Sequence, residues 1–237
     1  MINLSKWLKL FLTILLVGTL FFSFFNYFHH FNYIPNLSIW SIKIQSLTWY
    51  FNKHEKLKYT TTVFWRQTEP INFIFLVKNK SELIKLFLNA WFNPADNLTP
   101  KTLKKLILAA YDNKEYKTAP MLPIFWNNKT QTFWFQKQVW KVAFRHHIRI
   151  WDTELKWKNY YIFVGYAIYD NWIKWKIAHR TSPDMDKERE YFFQKFLSTG
   201  KIWKYKKIQW VKPIKNWKNL LYDKFFTDGK AYILRVK

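Results

Sequence analysis

The sequence predicts an α+β domain with a single mixed or antiparallel sheet and about three helices, preceded by one N-terminal transmembrane helix. Three observations predict this fold class. An uncharged apolar run lies near the N-terminus, several short segments alternate apolar and polar residues, and three segments place apolar residues at helical spacing behind a capping residue. Because 49% of the 237 residues are hydrophobic, the chain can bury a core, and one domain plus an appendage fits this length.

Composition excludes several classes of protein. The absence of cysteine excludes disulfides, thiolate nucleophiles, zinc ribbons and iron–sulfur clusters, and four glycines leave no room for phosphate-binding or dinucleotide-binding glycine loops. The net charge is +24, but only six of the 39 basic residues are arginine, and Ile, Asn, Phe and Tyr are abundant, which is typical of AT-rich coding. The arginines are therefore a better guide to function than the total charge.

The apolar run extends from Leu10 to Tyr27 and would form a helix about 27 Å long, close to the ~30 Å hydrocarbon core of a bilayer. Lys6 and Lys9 precede it and no lysine follows until Lys43, so we expect a cytoplasmic N-terminus. A cleaved signal peptide is the alternative, but bulky aromatic residues follow the run, which favours an uncleaved signal-anchor at 1–30. In a bacterium, this segment would make the chain a single-pass inner-membrane protein with a periplasmic domain.

Juxtamembrane strands are predicted at 31–68, and the main domain follows at 69–237. Alternation in SIKIQSLTWYF and KYTTTVFW predicts two strands, and the compact run NFIFLVKN predicts a more buried strand. Ser81 is placed to cap the next helix. The apolar stripe of this helix comprises Leu83, Leu86, Phe87, Ala90 and Trp91.

Further elements follow the same signals. Thr99 and Pro100 predict the start of a second helix, and Asn127–Asn128 predicts a hairpin turn because asparagine tolerates left-handed backbone. The stripe of the second helix is Leu103, Leu106, Ile107 and Ala110. Strands are predicted in KVAFRHHIRIW, YYIFVGYAIYD and WIKWKIAH, then a helix from Ser182–Pro183 through Phe196, a strand in KIWKYKKIQWV, and a last strand AYILRV after the Asp228–Gly229 turn.

One predicted strand carries a cationic face. In FRHHIRIW, alternation places Arg145, His147, Arg149 and Trp151 on one side of the strand. Guanidinium groups can hold a phosphate or carboxylate in a bidentate manner, with His147 as proton donor. The alternative is that Arg145 and Arg149 pair with acids of the 182–190 helix, with His146 as a hydrogen-bonded core residue.

An acidic cluster follows in HRTSPDMDKERE. His179, Asp184, Asp186, Glu188 and Glu190 lie within twelve residues at a strand end and a helix start. Such groups can bind a divalent metal or act as general acid and base, although the spacing matches no zinc signature. Candidate catalytic residues are thus His147, His179, Asp184, Asp186 and Glu188, with His147, His179 and Asp186 as candidate metal ligands. The alternative is that the acids cap the helix and complement its dipole.

The segment from Lys195 to Lys218 contains eight lysines, no acids and interleaved Trp203, Tyr205, Trp210 and Trp217. Nucleic-acid binding is one interpretation of such a pattern, but an outward-facing anchor removes access to nucleic acid. Attraction to anionic phospholipid headgroups explains the same residues, as does a solvated lysine face.

The order and spacing of several of these motifs resemble the LssY C-terminal domain family. The resemblance covers about Glu69 to Gly200 and includes EPINFIFLVKNKSELIKLFLNAWFNPADNLTP, YKTAPMLPIFW, QTFWFQK, FRHHIRIWDT, VGYAIYDN and H-x4-D-x-D-x-ERE. It implies a bacterial envelope setting, because members occur in membrane proteins beside DedA-like or PAP2 lipid-phosphatase-like regions. It implies no established reaction, and any lipid-phosphatase activity belongs to a region that this chain lacks.

Carried over position by position, the family pattern covers Arg145, His146, His147, Arg149, Trp151, Asp170, His179, Asp184, Asp186, Glu188 and Arg189. The chain departs from the pattern at Asn128–Lys129, where the family has Gly-Arg, and at Thr132, where an acid is usual. Loss of the arginine fork puts anion binding at that corner in doubt.

Two functional hypotheses follow. The first is a non-catalytic envelope module in which Arg145, His147, Arg149, Trp151 and Arg189 bind an anionic lipid headgroup, a glycan phosphate or a partner protein. The second is a metal-assisted hydrolase acting on phosphorylated lipid or glycan. The first is preferred, because capping and pairing explain all the acids.

Overall fold

A nine-stranded mixed sheet organises the part of the chain that the structure describes. This computed structural model describes residues 41–62, 64–174, 178–219 and 222–237, which all fall within one compact unit. The predicted transmembrane segment 10–27 lies outside these residues. Within them, no helix combines the length and apolar character needed to cross a bilayer.

The strands, in chain order, are β1 (Ile42–Ile44), β2 (Tyr59–Thr61), β3 (Gln67–Pro70), β4 (Phe73–Val77), β5 (Asn93–Pro94), β6 (Phe125–Trp126), β7 (Lys129–Thr130), β8 (Phe133–Gln138), β9 (Arg145–Trp157), β10 (Tyr160–Lys174), β11 (Ala178–Thr181), β12 (Ile202–Gln209), β13 (Ile214–Lys218), β14 (Lys224–Thr227) and β15 (Lys230–Val236). The helices are α1 (Leu47–Lys53), α2 (Lys80–Asn89), α3 (Pro100–Tyr111) and α4 (Met185–Ser198), with a short 3-10 helix at Glu55–Lys58.

The main sheet has the order β12-β15-β4-β10-β9-β8-β5, with β1 beside β9 and β11 beside β10. Strands β1 and β9 are parallel, as are β15 and β4, and the remaining pairs are antiparallel. The α+β class and the mixed character of the sheet are thus confirmed.

The prediction of a single sheet was wrong. Strands β3-β2-β6-β7 form a second sheet and β13-β14 form a third. These strands are two to five residues long. Such small sheets are marginal alone and need packing support, which they obtain by lying over one face of the main sheet.

The described residues contain four helices rather than three, because α1 was predicted as a strand. The segment SLTWYF is helical, with Ser46 as N-cap accepting a hydrogen bond from the backbone N–H of Trp49. Leu47 and Phe51, four residues apart, are its buried residues. A cap and an i,i+4 apolar pair therefore outweigh the β-propensity of the aromatic and β-branched residues.

The predicted starts of α2 and α3 had different outcomes. Asn79, not Ser81, caps α2, while Thr99 and Pro100 begin α3 as expected, with a capping box completed by Thr102. On α2, Leu83, Leu86, Phe87 and Ala90 are buried, but Trp91 is 80% exposed beyond the helix end. On α3, Ile107 is exposed and Leu103 and Leu106 are half-buried, so this helix lies at the periphery.

Of the other predicted elements, one turn is confirmed and two elements have different bounds in the structure. The hairpin turn at Asn127–Asn128 is confirmed, with both residues at positive φ. WIKWKIAH is not one strand, because its first residues end β10 and its last residues begin β11. Helix α4 begins at Met185 after the N-cap Asp184, slightly later than Ser182–Pro183, and Gly200 beyond its end has a φ of +65°.

Both faces of the main sheet are covered. Helices α2 and α4 pack on one face, which we call the helical face, over residues such as Phe73, Phe75 and Ile148. Helix α1 and the two small sheets pack on the other, which we call the opposite face, over residues such as Ile74 and Trp151. Alternation along β9 therefore sends its polar side chains into two different buried environments.

Candidate functional site

The predicted cationic face of β9 exists, but it is buried. Arg145, His147 and Arg149 point to the opposite face of the sheet and expose 4%, 2% and 7% of their surface. Trp151 continues the same face and is fully buried in the core. In this conformation, solvent has little access to any of the four side chains.

Arg145 is neutralised by a neighbouring strand. Its Nε donates to Oδ2 of Asp170 at 2.8 Å, and its Nη1 donates to Oε1 of Gln136 at 3.1 Å and to the carbonyl oxygen of Ala119 at 3.4 Å. Asp170 lies directly opposite Arg145 in the β9–β10 pairing. The expected pairing of Arg145 with acids of the 182–190 helix was therefore wrong, because antiparallel register supplies a closer carboxylate.

His147 lies between Asp170 and Arg149. Its Nε2 is 3.1 Å from Oδ1 of Asp170, although not well aligned for a hydrogen bond, and its Nδ1 is 3.5 Å from Nη1 of Arg149. Burial lowers the pKa of His147 to about 4, despite the opposing effect of Asp170. The ring is thus neutral at pH 7. When the proton is on Nε2, the lone pair of Nδ1 points at the Arg149 guanidinium, so it is not available to a metal ion.

Glu69 is a buried member of this network that the sequence did not reveal. It lies on β3, 2% exposed, and burial raises its pKa, while Thr68, the Tyr166 hydroxyl and the Arg149 charge oppose that rise. Arg149 also donates from Nη2 to the carbonyl oxygen of Leu122 at 3.3 Å. No local pattern marks Glu69, because the Arg149 charge that acts on it belongs to a strand far later in the chain.

Asp184 and Asp186 have structural partners at the start of α4. Asp184 is the N-cap and accepts hydrogen bonds from the backbone N–H groups of Asp186 and Lys187. Asp186 accepts from the Thr227 hydroxyl at 2.6 Å and from the backbone N–H of Asp228 at 2.7 Å. These contacts agree with the structural alternative, in which the acids cap the helix and pair with neighbouring groups.

Arg189 joins α4 to the turn before β15. It is 1% exposed, and its guanidinium donates to Asp186, Glu190, both carboxylate oxygens of Asp228 and the carbonyl oxygen of Lys230. All three guanidinium nitrogens donate to these groups. Arg189 therefore presents no nitrogen to a ligand in this conformation.

Glu188 is turned away from the acids of the first turn and contacts His146 instead. Its two carboxylate oxygens lie 3.0 and 2.9 Å from Nδ1 of His146, on the helical face of the sheet. Burial raises the pKa of Glu188, while His146 opposes that rise. The expectation that His146 is hydrogen-bonded matches this contact, and the partner is an acid of α4.

The predicted metal set is not brought together by the described side chains. His147 contacts Asp170 and Arg149, whereas Asp186 contacts Arg189, Thr227 and Asp228. Within the described part of the chain, no group of three or more His, Asp or Glu residues is placed to hold a metal ion. The backbone of His179 lies in β11 opposite Ile173, and its side chain lies outside the description.

A cavity of about 280 Å³ opens on the opposite face, between the start of α1 and the edge of the main sheet. Leu47, Leu76 and Ile233 contribute apolar surface to its wall. Lys204 and Lys206 of β12 and Arg235 of β15 contribute cations. The sequence singled out the lysine-rich segment, but it gave no sign that α1 would provide the facing wall.

The three cavity cations have no acidic partner among the described carboxylates. The Arg235 guanidinium lies 4.8 Å from the Tyr160 ring centroid and 4.7 Å from that of Trp203. Its Nε is buried and makes no hydrogen bond in the described structure. The wall of the cavity therefore combines apolar surface with three cations.

Comparison with protein families identifies the domain to which these elements belong. The sequence model described as LssY C-terminus matches residues 53–231, well over half of the chain. The chain belongs to the LssY C-terminal domain family. The match extends beyond Glu69–Gly200 at both ends and includes α1's last residue, the small sheets and part of β15. Neither the curated proteins nor the solved structures contain a significant match.

Lys129 and Thr132, where a departure from the family pattern was expected, have local partners in this LssY C-terminal domain. Lys129 forms an ion pair with Glu154, and its carbonyl oxygen accepts from Nε1 of Trp151 at 3.2 Å. The Thr132 hydroxyl accepts from the backbone N–H of Asp152 at 2.9 Å. Both side chains therefore stabilise β9 rather than face a shared anion position.

Proposed function

We propose that this chain is a membrane-anchored envelope protein whose LssY C-terminal domain binds an anionic phospholipid through its phosphate headgroup. The observation that carries the proposal is the cavity that joins an apolar wall to Lys204, Lys206 and Arg235. Phospholipids have the matching combination of a charged phosphate and an apolar chain. Lysine and arginine near an anionic lipid surface each contribute about 1 kcal/mol.

Arg235 is the cation that distinguishes a binding site from a solvated strand edge. Lysines on β12 also protect an exposed sheet edge from pairing with other chains, so their presence has a structural alternative. Arg235 lies on β15, which is paired on both sides by β12 and β4. Its buried Nε lacks a hydrogen-bond partner in the described structure, and a phosphate oxygen would supply one.

The sequence supports a membrane setting for this cavity. The apolar run 10–27 has the length and lack of charge of a membrane span, and its flanking lysines favour an N-terminus in the cytoplasm. Ser46 of the cavity follows that run by fewer than twenty residues in the chain. The proposal therefore includes a bacterial inner-membrane location with the domain on the periplasmic side.

The arginine–histidine face of β9 is not the binding site in this proposal. Arg145 is paired with Asp170, and His147 has both ring nitrogens facing charged neighbours. A ligand would have to displace these contacts and open a buried core. In the surface cavity, Lys204 and Lys206 are exposed and have no acidic partner to displace among the described residues.

A lipid titration tests the proposal. The full chain in a non-ionic detergent is titrated with dihexanoyl-phosphatidylglycerol, dihexanoyl-phosphatidylcholine and sn-glycerol 3-phosphate, with binding measured calorimetrically. We expect phosphatidylglycerol to bind most tightly, because it alone combines net negative charge with acyl chains. Equal affinity for phosphatidylcholine would contradict a cationic site, and equal affinity for glycerol phosphate would point to a free phosphate ligand instead.

Charge-matched variants locate the site. The double variant Lys204→Glu, Lys206→Glu should weaken phosphatidylglycerol binding at least tenfold, or about 1.4 kcal/mol. The control is Lys85→Glu, Lys104→Glu, which makes the same change of net charge at exposed positions on α2 and α3. An equal loss in the control would mean that binding reflects overall charge and would overturn the assignment of the cavity.

A further inference from the structure

A second cationic cluster lies on the helical face of the main sheet, where β8, β9 and α4 meet. Lys137 of β8 lies directly opposite His146 of β9 in the antiparallel pairing, so the two side chains point to the same face. On α4, Glu188, Tyr191 and Lys195 recur three and four residues apart and form one stripe along this helix. The fold therefore brings two lysines and a histidine to one place.

The imidazole of His146 is held in a fixed orientation. Its Nδ1 lies 2.9 and 3.0 Å from the two carboxylate oxygens of Glu188, and with Nδ1 protonated the ring donates a hydrogen bond to the carboxylate. The ring stacks on Tyr191 at a centroid distance of 3.8 Å and contacts Tyr169 at 4.6 Å. Both phenols have raised pKa values through burial and the nearby Glu188 charge, and therefore remain neutral.

This orientation directs Nε2 of His146 away from Glu188. Among the described residues, none forms a hydrogen bond with Nε2, and the His146 side chain is 17% exposed. A carboxylate that orients one ring nitrogen while the other remains open is the arrangement by which proteins prepare a histidine for a ligand.

The lysines of the cluster lack acidic partners within the described structure. The Nζ of Lys195 lies 5.7 Å from the Tyr191 ring centroid. Burial and the charge of Lys195 lower the pKa of Lys137, and no carboxylate opposes that effect. Both carboxylate oxygens of Glu188 contact His146. Glu188 therefore does not neutralise the repulsion between the ammonium groups of Lys137 and Lys195.

We propose that Lys137, Lys195 and Nε2 of His146 bind a phosphate-class dianion. Two ammonium groups match its charge, and the Nε2 lone pair can accept the hydroxyl proton of hydrogen phosphate. The site is separate from the lipid cavity, because His146 and Lys137 lie on the helical face and the cavity lies on the opposite face. It therefore goes beyond lipid binding.

Phosphate titration of the full chain in non-ionic detergent tests this site. Inorganic phosphate is added at constant ionic strength, with chloride as the reference anion. We expect a Kd of about 1 mM or tighter for wild type. Lys137→Met, Lys195→Met should weaken binding at least tenfold while keeping the apolar stems of the side chains, and His146→Asn should weaken it as well.

Lys104→Met, Lys187→Met is the matched control, because it removes the same two charges from exposed lysines on α3 and α4. This variant should bind phosphate like wild type. Loss of binding in the control, or no phosphate binding by a folded wild-type chain, would overturn the proposal. Tighter binding of sn-glycerol 3-phosphate would support the site and identify its ligand as a phosphomonoester, whereas tighter binding of inorganic phosphate would support the site and identify free phosphate.

Discussion

At the scale of single residues, burial decides what His147 can do. The same residue in solution would titrate near neutral pH, but here it is enclosed with Arg145, Arg149 and Asp170. Its pKa of about 4 lies below the ordinary value, so the unfolded chain takes up the proton first as pH falls. Stability is therefore lost between about pH 6.5 and pH 4.

We predict that His147 contributes to acid sensitivity. Between pH 7 and pH 4.5 its titration should remove about 2 to 3 kcal/mol of the free energy of unfolding. Raised pKa values at Glu69 and Glu188 act in the opposite direction. Urea unfolding of wild type and His147→Gln at the two pH values measures the effect, and identical pH dependence in both proteins would contradict it.

Arg189 should behave as a structural residue. Arg189→Met leaves Asp186, Asp228 and Glu190 without their shared cation and should cost about 3 kcal/mol, since breaking a buried ion network leaves uncompensated charge. Arg189→Lys should cost less, because it keeps the charge but loses the planar fork. If Arg189→Met unfolded like wild type yet lost anion binding, a ligand role would be indicated instead.

Metal content separates the buried-network interpretation from the hydrolase hypothesis. Because His147 and Asp186 belong to different networks, we expect wild type and His147→Ala, Asp186→Ala to retain equal amounts of bound divalent metal after purification. Elemental analysis of both folded proteins gives the comparison. Stoichiometric metal in wild type that disappears in the variant would restore the metal-assisted mechanism.

At the scale of elements, α4 shows how a helix start can resemble a catalytic cluster. Asp184 caps the first turn, Asp186 holds Thr227 and the backbone of Asp228, and Glu188 contacts His146. Acids are favoured at this end of any helix, so their concentration in sequence needs no shared ligand. The three carboxylates therefore have three different sets of hydrogen-bond partners.

A pair of substitutions at Asp184 tests the capping role. Asp184→Ala removes the acceptor of two backbone N–H groups and should lower the free energy of unfolding by about 1 kcal/mol. Asp184→Asn keeps the acceptor oxygen and should remain close to wild type. Chemical denaturation of both variants checks this, and an equally large loss in Asp184→Asn would show that the charge, not the cap, is needed.

Sequence predicted the elements best where local signals were complete. Thr99 and Pro100 mark α3 because cap and first-turn geometry are local, and Asn127–Asn128 marks a turn for the same reason. Helix α1 was missed because its aromatic and β-branched residues favour a strand locally. Its helical state depends on Leu47 and Phe51 reaching a core built by distant strands.

At the scale of the whole molecule, a sheet covered on both faces separates the two proposed anion sites. The cavity proposed to bind lipid lies at the β12 edge on the opposite face, and the Lys137–Lys195–His146 cluster lies on the helical face. The net charge of +24 contributes attraction to any anionic partner, but it cannot distinguish these sites. Variants compared with controls that make the same change of total charge can do so.

Topology is a property of the complete chain and can be tested directly. Because lysines precede the 10–27 run and none follows until Lys43, we predict that the C-terminus is periplasmic. A reporter active only in the periplasm, fused after Lys237, should be active. A stably expressed but inactive fusion would reverse the orientation, and substitution of Lys6 and Lys9 by Glu in the same fusion should reduce its activity.

The sequence by itself determined the family, the α+β class, the alternation along β9 and the helix start at Thr99–Pro100, because motif spacing and backbone periodicity are local properties. Only the tertiary structure decided that the β9 arginines are buried, that Arg145 pairs with Asp170, and that Glu188 contacts His146 rather than His147. Those contacts depend on strand order and register, which join residues far apart in the chain and which no local pattern encodes.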